Sequence, residues 1–221
     1  MRSLVIAIDG PSGSGKSSTA RALATRLGVA YLDTGAMYRA VADEALRRHV
    51  IDDPAAVLVI ARTTPPVIGL DPAAPTVAIA GRDVTAAIRE PALSAQVSRV
   101  ATIQPVRDVL SVQMRAIVAG AKRIVVEGRD ITTKVCPDAD VRVLLVADPA
   151  ERIRRREAEL AGAADRAQVT DQVVRRDRDD ATMSQFETPA PGVTLIDSTY
   201  LSLDEVVERI LALVPAGGRS R

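Results

Sequence analysis

The residues Gly10-Pro11-Ser12-Gly13-Ser14-Gly15-Lys16-Ser17 constrain this chain most, because of what flanks them. The apolar run 3–9 before them reads as a buried strand ending at Asp9. The run 17–27 after them has helical spacing and stops at Gly28. A strand, a glycine-rich turn ending in Gly-Lys-Ser, and a helix in that order make a phosphate-binding P-loop. Glycines let backbone N–H groups turn inward around an anion, and the helix start adds partial positive charge. In such a loop Lys16 reaches the β- and γ-phosphates of a nucleoside triphosphate and the Ser17 hydroxyl ligates Mg²⁺. Ser18 is expected to join residues 10–17 in holding ATP. The motif establishes nucleotide binding and leaves the reaction open.

Composition removes several classes. A chain of 221 residues supports one sizeable core, and 47% hydrophobic with 26% charged residues is ordinary for a globular protein. No apolar run approaches the ~20 residues of a membrane span. The N-terminus runs straight into the first strand with no visible signal peptide, so a cytoplasmic location is expected. Cys136 is the only cysteine, which excludes an intramolecular disulfide and a cysteine metal cluster. A net charge of +1, 2% aromatics and no Trp argue against a nucleic-acid partner. His49, the sole histidine, follows Arg47-Arg48 at a charged helix end, so histidine acid/base chemistry is set aside.

Further strand runs fall at 29–32, 123–127, 141–147 and 193–197, with helical patterns at 35–48, 91–103, 105–119, 149–160, 168–181 and 203–214. Apolar strands alternating with helices predict an α/β fold, a parallel sheet with helices on both faces. Ligands gather at the carboxyl ends of such strands. Residues 65–70 and 76–80 look like short strands around the turn 71–75, so about 62–90 is expected to form a small antiparallel insertion in a single domain. The tail 216–221 is expected to be disordered.

Three other constellations meet that strand edge. Asp33-Thr34-Gly35-Ala36-Met37-Tyr38-Arg39 ends one strand and opens a helix. Thr34, Tyr38 and Arg39 form one wall of an acceptor site, although Thr34 also suits a helix cap. Glu127-Gly128-Arg129-Asp130 ends another strand, with Glu127 placed to act toward Mg²⁺ through water. From Glu151 to Asp180, arginines alternate with acids on two helices around Gly162-Ala163-Ala164-Asp165, a hinge candidate. Most of those arginines belong to a solvated face, but phosphoryl transfer needs water excluded and charge neutralised, which a mobile arginine-bearing lid supplies. Lys16, Lys122 and Lys134 are the only lysines among 29 basic residues. Most of that bias reads as codon usage, and position decides which arginines act.

These strings together resemble a known family. They are residues 9–17, 33–39, Ser98 with Arg107 nine residues on, Gly128-Arg129-Asp130 with Pro137-Asp138-Ala139, Arg176-Asp177 with Asp180, and Asp197-Ser198-Thr199. From Ile6 to about Val214 the chain resembles bacterial-type cytidylate kinases, P-loop nucleoside monophosphate kinases that use ATP and Mg²⁺ to phosphorylate CMP or dCMP. The resemblance implies that the 62–90 insertion binds the monophosphate and that an arginine-rich helical lid spans about 152–178. It implies that Arg39 and Arg129 hold the monophosphate, and that Ser98, Arg107 and Asp130 read cytosine. It further implies that Arg176 and Asp180 lie near the pentose, and that Lys16, Arg152, Arg156 and Arg176 are catalytic. A monomer is expected. The chain departs from the family pattern at Met183, where arginine is usual, at Thr132, where glycine is usual, and at Lys134, where valine is usual. A kinase of another acceptor, such as UMP or a small metabolite, is the nearer alternative. A nucleotide switch is the further one, and it lacks the guanine-reading Asn-Lys-x-Asp string, since the chain has no asparagine.

Overall fold

The computed structural model describes residues 3–160 and 188–216. In chain order its strands are β1 (Leu4–Asp9), β2 (Ala30–Asp33), β3 (Val67–Ile68), β4 (Val77–Ile79), β5 (Arg82–Asp83), β6 (Arg123–Gly128), β7 (Val141–Val146) and β8 (Thr194–Asp197). Five of them form one parallel sheet in the order β2-β6-β1-β7-β8, so the strand leading into the glycine loop is central. Successive residues on a strand face opposite sides. Ile124 and Val126 therefore enter one hydrophobic cluster while Val125 enters the other, and Ala7 separates from Leu4, Ile6 and Ile8 in the same way.

Helices cover both faces. On one side lie α1 (Lys16–Leu27) and the C-terminal helix Leu203–Leu213, burying Leu23, Leu27, Val206 and Ile210. On the other lie α2 (Thr34–Arg47), α3 (Pro54–Thr63) and α6 (Gln104–Ala121), burying Met37, Val41, Val57, Ile60, Leu110 and Met114. The small sheet β3-β4-β5 is antiparallel and lends Val77 and Ile79 to that second cluster. Its β4–β5 turn places Ala80 and Gly81 at φ 51 and 73, the positive values a two-residue hairpin needs. Tyr31 donates its backbone N–H to the Leu70 carbonyl at 2.9 Å, so the segment before that turn covers the edge of β2.

Helix α3 was not anticipated from sequence, although its start is well specified. Pro54 occupies the first turn, and the Asp53 carboxylate accepts from the Ala55 and Ala56 N–H groups. The 91–103 run forms two one-turn helices, α4 (Pro91–Ser94) and α5 (Ser98–Ala101), instead of one. Tight three-residue bonds, Gln96 N–H to Leu93 O and Arg99 N–H to Gln96 O, wind the joint between them. Helix α7 (Pro149–Leu160) carries the described part of the expected lid. Gly162, Arg176, Asp180 and Met183 lie outside the described residues, as does most of the tail. Among the described residues no helix is long and apolar enough to cross a membrane.

Candidate active site

The loop after β1 is shaped by close approach. A Cβ on Gly10 would sit 2.2 Å from the Leu145 carbonyl oxygen, and Gly13 and Gly15 hold φ 76 and 87. Helix α1 starts at Lys16 without a side-chain cap. Its first-turn amides have no intrahelical acceptor and face the cleft as an anion cradle. Ser12, Gly13, Gly15, Lys16, Ser17 and Ser18 line a cleft of about 740 Å³, while Gly10, Pro11 and Ser14 are buried behind it. Lys16 Nζ donates to the Pro11 carbonyl at 3.4 Å, which folds the ammonium over the loop.

Two carboxylates stand behind Ser17. The Ser17 hydroxyl donates to Glu127 Oε1 at 2.7 Å, and the Tyr31 hydroxyl donates to the same oxygen at 3.3 Å. Burial and the charge of neighbouring Asp33 push Glu127 above the usual carboxylate range, against the pull of Lys16 and the Ser17 hydrogen bond. Burial acts on Asp33 too, but the Arg39 guanidinium, the Ala36 N–H and Lys16 outweigh it and hold that carboxyl low. This donor set suits a cation shared with a nucleotide. The Ser17 oxygen keeps lone pairs with which it could ligate a metal, and the paired acids could orient that metal's waters. Among the described residues no cluster of three or more His, Cys, Asp or Glu forms a cage for a metal by itself.

The cleft wall expected to hold the acceptor is built by α2 and α6. Asp33 caps α2 by accepting from the Ala36 N–H, so the cap is not Thr34. The Thr34 hydroxyl instead donates to the Glu127 carbonyl at 2.8 Å, binding α2 to β6. Asp33 also accepts from Arg39 at 2.6 Å, which aims that guanidinium along the cleft. Across from it, Arg107 donates to Asp130 at 2.5 Å, with the two residues only 6% and 8% exposed. Arg107 also donates to the Ala101 carbonyl at 2.9 Å, bringing α5 and Ser98 onto the same wall, and lies 6.0 Å from the Tyr38 ring centre. Among the described residues the Nε atoms of Arg39 and Arg107 are buried without a hydrogen-bond partner. Thr34, Tyr38, Arg39, Ser98, Arg107, Arg129 and Asp130 all line the one cleft.

Helix α7 divides its arginines by task. Arg156 lines the cleft. Arg152 donates to the Ser12 and Ala147 carbonyls at 3.1 and 3.2 Å and braces the loop from behind. Arg155 donates to the Ser198 hydroxyl and carbonyl, and the Ser198 hydroxyl in turn donates to the Ser14 carbonyl at 3.0 Å. The loop after β8 thus supports the phosphate cradle. Sequence reasoning missed Arg21 and Arg89, which also line the cleft, and Tyr31 behind Glu127. Tyr31 carried a signal, a polar ring two residues before Asp33 in an otherwise apolar strand. Arg21 and Arg89 carried none, being two of many arginines on helical surfaces.

Known proteins resemble this chain in sequence and in fold. The family model for cytidylate kinase matches residues 6–216. A cytidylate kinase of Cutibacterium acnes is 58% identical over 214 residues, covering 96% of each chain. One from Nocardia farcinica is 44% identical over 216 residues, covering 96% of this chain and 93% of the relative. Among solved structures, an uncharacterised protein of Eubacterium ventriosum aligns with TM-score 0.54 at 12% identity, covering 96% and 99% of the two chains. A shikimate kinase of Bacteroides thetaiotaomicron aligns at 0.50 and 13%, covering 95% and 97%. At such identities these structures speak for the fold alone. The sequence matches go further, and by them the chain belongs to the cytidylate kinase family.

Proposed function

We propose that this enzyme transfers the γ-phosphoryl group of ATP to CMP or dCMP, giving ADP and CDP or dCDP. The observation that carries the base assignment is the Arg107–Asp130 pair at the cleft wall. It sets a carboxylate acceptor beside a guanidinium donor. Cytosine offers the complement, an exocyclic amine beside the ring acceptors N3 and O2. Uracil reverses two of those positions, so its O4 meets the carboxylate and its N3–H meets the guanidinium. Ser98 stands on the same wall.

The monophosphate lies toward Arg39 and Arg129, with its anionic oxygen in line with the γ-phosphorus. That oxygen is already a nucleophile, so no general base is needed, and catalysis is positioning plus neutralisation of charge. The loop amides and Lys16 hold the donor phosphates. Arg156 faces the cleft from α7, and Arg152 acts through the loop it braces. Arg176 and Asp180 belong to the same reading, near the transferred group and the pentose. Ser17 would hold Mg²⁺ together with the nucleotide phosphates, the ion would supply charge neutralisation, and Glu127 and Asp33 would orient its waters. One P-loop kinase domain with an acceptor-binding insertion at about 62–90 and a lid at about 152–178 completes the proposal, as a cytoplasmic monomer.

The test is kcat/KM for CMP, dCMP, UMP and AMP measured side by side. Buried polar mismatch predicts that CMP exceeds UMP on the order of 10²-fold. AMP is excluded by size. Asp130→Ala narrows the CMP/UMP gap, mainly by harming CMP. Equal efficiency with CMP and UMP in the unaltered enzyme would overturn the base assignment.

A further inference from the structure

Asp9 ends β1, and its backbone continues directly into the phosphate cradle at Gly10. Its carboxylate points the other way, into the turn that carries Arg129 and Asp130. Oδ1 accepts from the Ile131 N–H at 2.9 Å; Oδ2 accepts from the Thr132 N–H at 2.9 Å and from the Thr132 hydroxyl at 2.6 Å. Asp9 and Thr132 are each 3% exposed. One buried acid therefore fixes two places at once: where the donor phosphates are held, and where the acceptor-reading turn stands.

The turn has other supports, and the β1–β6 ladder itself runs up to the pair Asp9–Gly128 just before it. Thr34 donates to the Glu127 carbonyl before it, Arg107 grips Asp130, and Arg115 donates to the Lys134 carbonyl at 2.7 Å after it. Arg142, from β7, donates to the Thr132 carbonyl at 3.4 Å. Within the turn, residues Ile131–Val135 form a wide helical loop in which the Val135 N–H reaches the Asp130 carbonyl and the Cys136 N–H reaches that of Ile131. Such widened turns lack the regular ladder that holds an ordinary helix. Among the described residues the Thr132 hydroxyl is the one side-chain donor on Asp9. Burial and the nearby charge of Asp130 work against ionised Asp9, so each donor weighs heavily.

We propose that Thr132 is a positioning residue of phosphoryl transfer, its hydroxyl locking the Arg129–Asp130 turn to Asp9 and so setting the span between the donor phosphates and the acceptor pocket. Thr132 touches neither substrate in this arrangement; it acts through Asp9 and the turn. The inference rests on Arg129 and Asp130 forming the acceptor pocket.

The experiment compares Thr132→Val, Thr132→Ser and Asp130→Ala in the full chain. It reads kcat, the KM of each substrate, CMP affinity by calorimetry without ATP, and the melting temperature. Loss of a hydrogen bond to a buried carboxylate predicts that Thr132→Val weakens CMP binding and raises KM for CMP about tenfold. KM for ATP stays within about twofold, because two backbone donors still hold Asp9. Thr132→Ser restores CMP binding. Unchanged CMP affinity in Thr132→Val alongside impaired Asp130→Ala would overturn the lock alone. So would a serine variant as damaged as the valine one, or a valine variant in which both KM values rise together. Unchanged CMP affinity in Asp130→Ala would instead remove the pocket on which the inference rests, and the inference with it.

Discussion

Glu127 is a carboxylate that the fold holds at a cost. It is buried beside Asp33, and Lys16, the Ser17 and Tyr31 hydroxyls and Arg39 offset its charge only in part. Because its folded value lies above the unfolded 4.5, the native state keeps the proton longer than the unfolded chain does. Stability then falls as pH rises from about 4.5 through the folded value, and it stays lower beyond. Glu127→Gln keeps an acceptor for Ser17 and removes that cost. Near pH 8 the ligand-free variant melts about 2–4 °C higher than the parent, and the gain shrinks toward pH 5. Phosphoryl transfer falls about tenfold or more, since the carboxylate behind Ser17 is gone. Calorimetry across that pH range checks the sign; a variant that melts lower at pH 8 would show that Glu127 stabilises the empty fold.

The acceptor wall depends on how α2 meets the small sheet. Glu44 is completely buried and accepts from Arg47 at 2.9 and 2.7 Å, Arg48 at 2.6 Å and Arg82 at 2.8 Å. The Arg47 hydrogen bonds, with those of Arg82 and Arg48, hold its carboxyl well below the usual range despite burial. Arg82 lies on β5 and also binds Asp43, so the clamp ties the small sheet to the helix that carries Tyr38 and Arg39. Just after β5 come Ile88 and Arg89 of the cleft. Glu44→Ala strands three arginines, but all three are partly exposed and recover water. A loss of about 2 kcal/mol in urea unfolding is therefore expected, less than a fully buried pair would cost. KM for CMP should rise several-fold while KM for ATP holds, because α1 and its loop pack on the opposite face of the sheet. Equal changes in both constants would mean that the clamp serves only global stability.

At the scale of the molecule, the glycine loop and the proposed acceptor wall share one sheet edge but belong to elements on opposite faces of it. The central strand feeds the phosphate cradle, α2 and α6 carry the acceptor wall, and α7 approaches from beyond β7. Arg156 in the cleft and Arg152 against the loop give α7 two points of attachment that nucleotides will strengthen. With CMP and a non-hydrolysable ATP analogue bound together, amide exchange across 152–178 should slow more than with either alone. Equal protection with the analogue alone would confine the arginines to ATP binding and remove the lid. The same cleft is crossed from above where Arg21 of α1 donates to the Pro72 carbonyl at 3.2 Å, so the insertion also closes on the core.

The sequence by itself determined the cradle, the parallel sheet and the acceptor strings, because each rests on local order. Glycine spacing, apolar runs and the strand–turn–helix succession are properties of neighbours in the chain; Arg39, Arg129 and Asp130 stood out at strand ends in the same way, whereas Arg107 was named only through the family resemblance, and all four line the cleft. Helix α3 was legible too, through Asp53-Pro54, but its short apolar run resembles a strand in isolation. Tertiary structure alone decided which partners the polar groups take. Thr34 was open to capping or binding, and the fold gave the cap to Asp33 and turned the Thr34 hydroxyl onto β6. Lys134 was open between cleft and solvent, and the fold leaves it half-exposed at 3.9 Å from Asp130. Arg152 and Arg156 stand one helical turn apart with nothing local to separate them, yet one braces the loop and the other faces the cleft. Asp9 meets Thr132 across more than half the chain. Burial makes such pairings obligatory, since a desolvated charge must find donors, but which donors it finds depends on how distant segments pack.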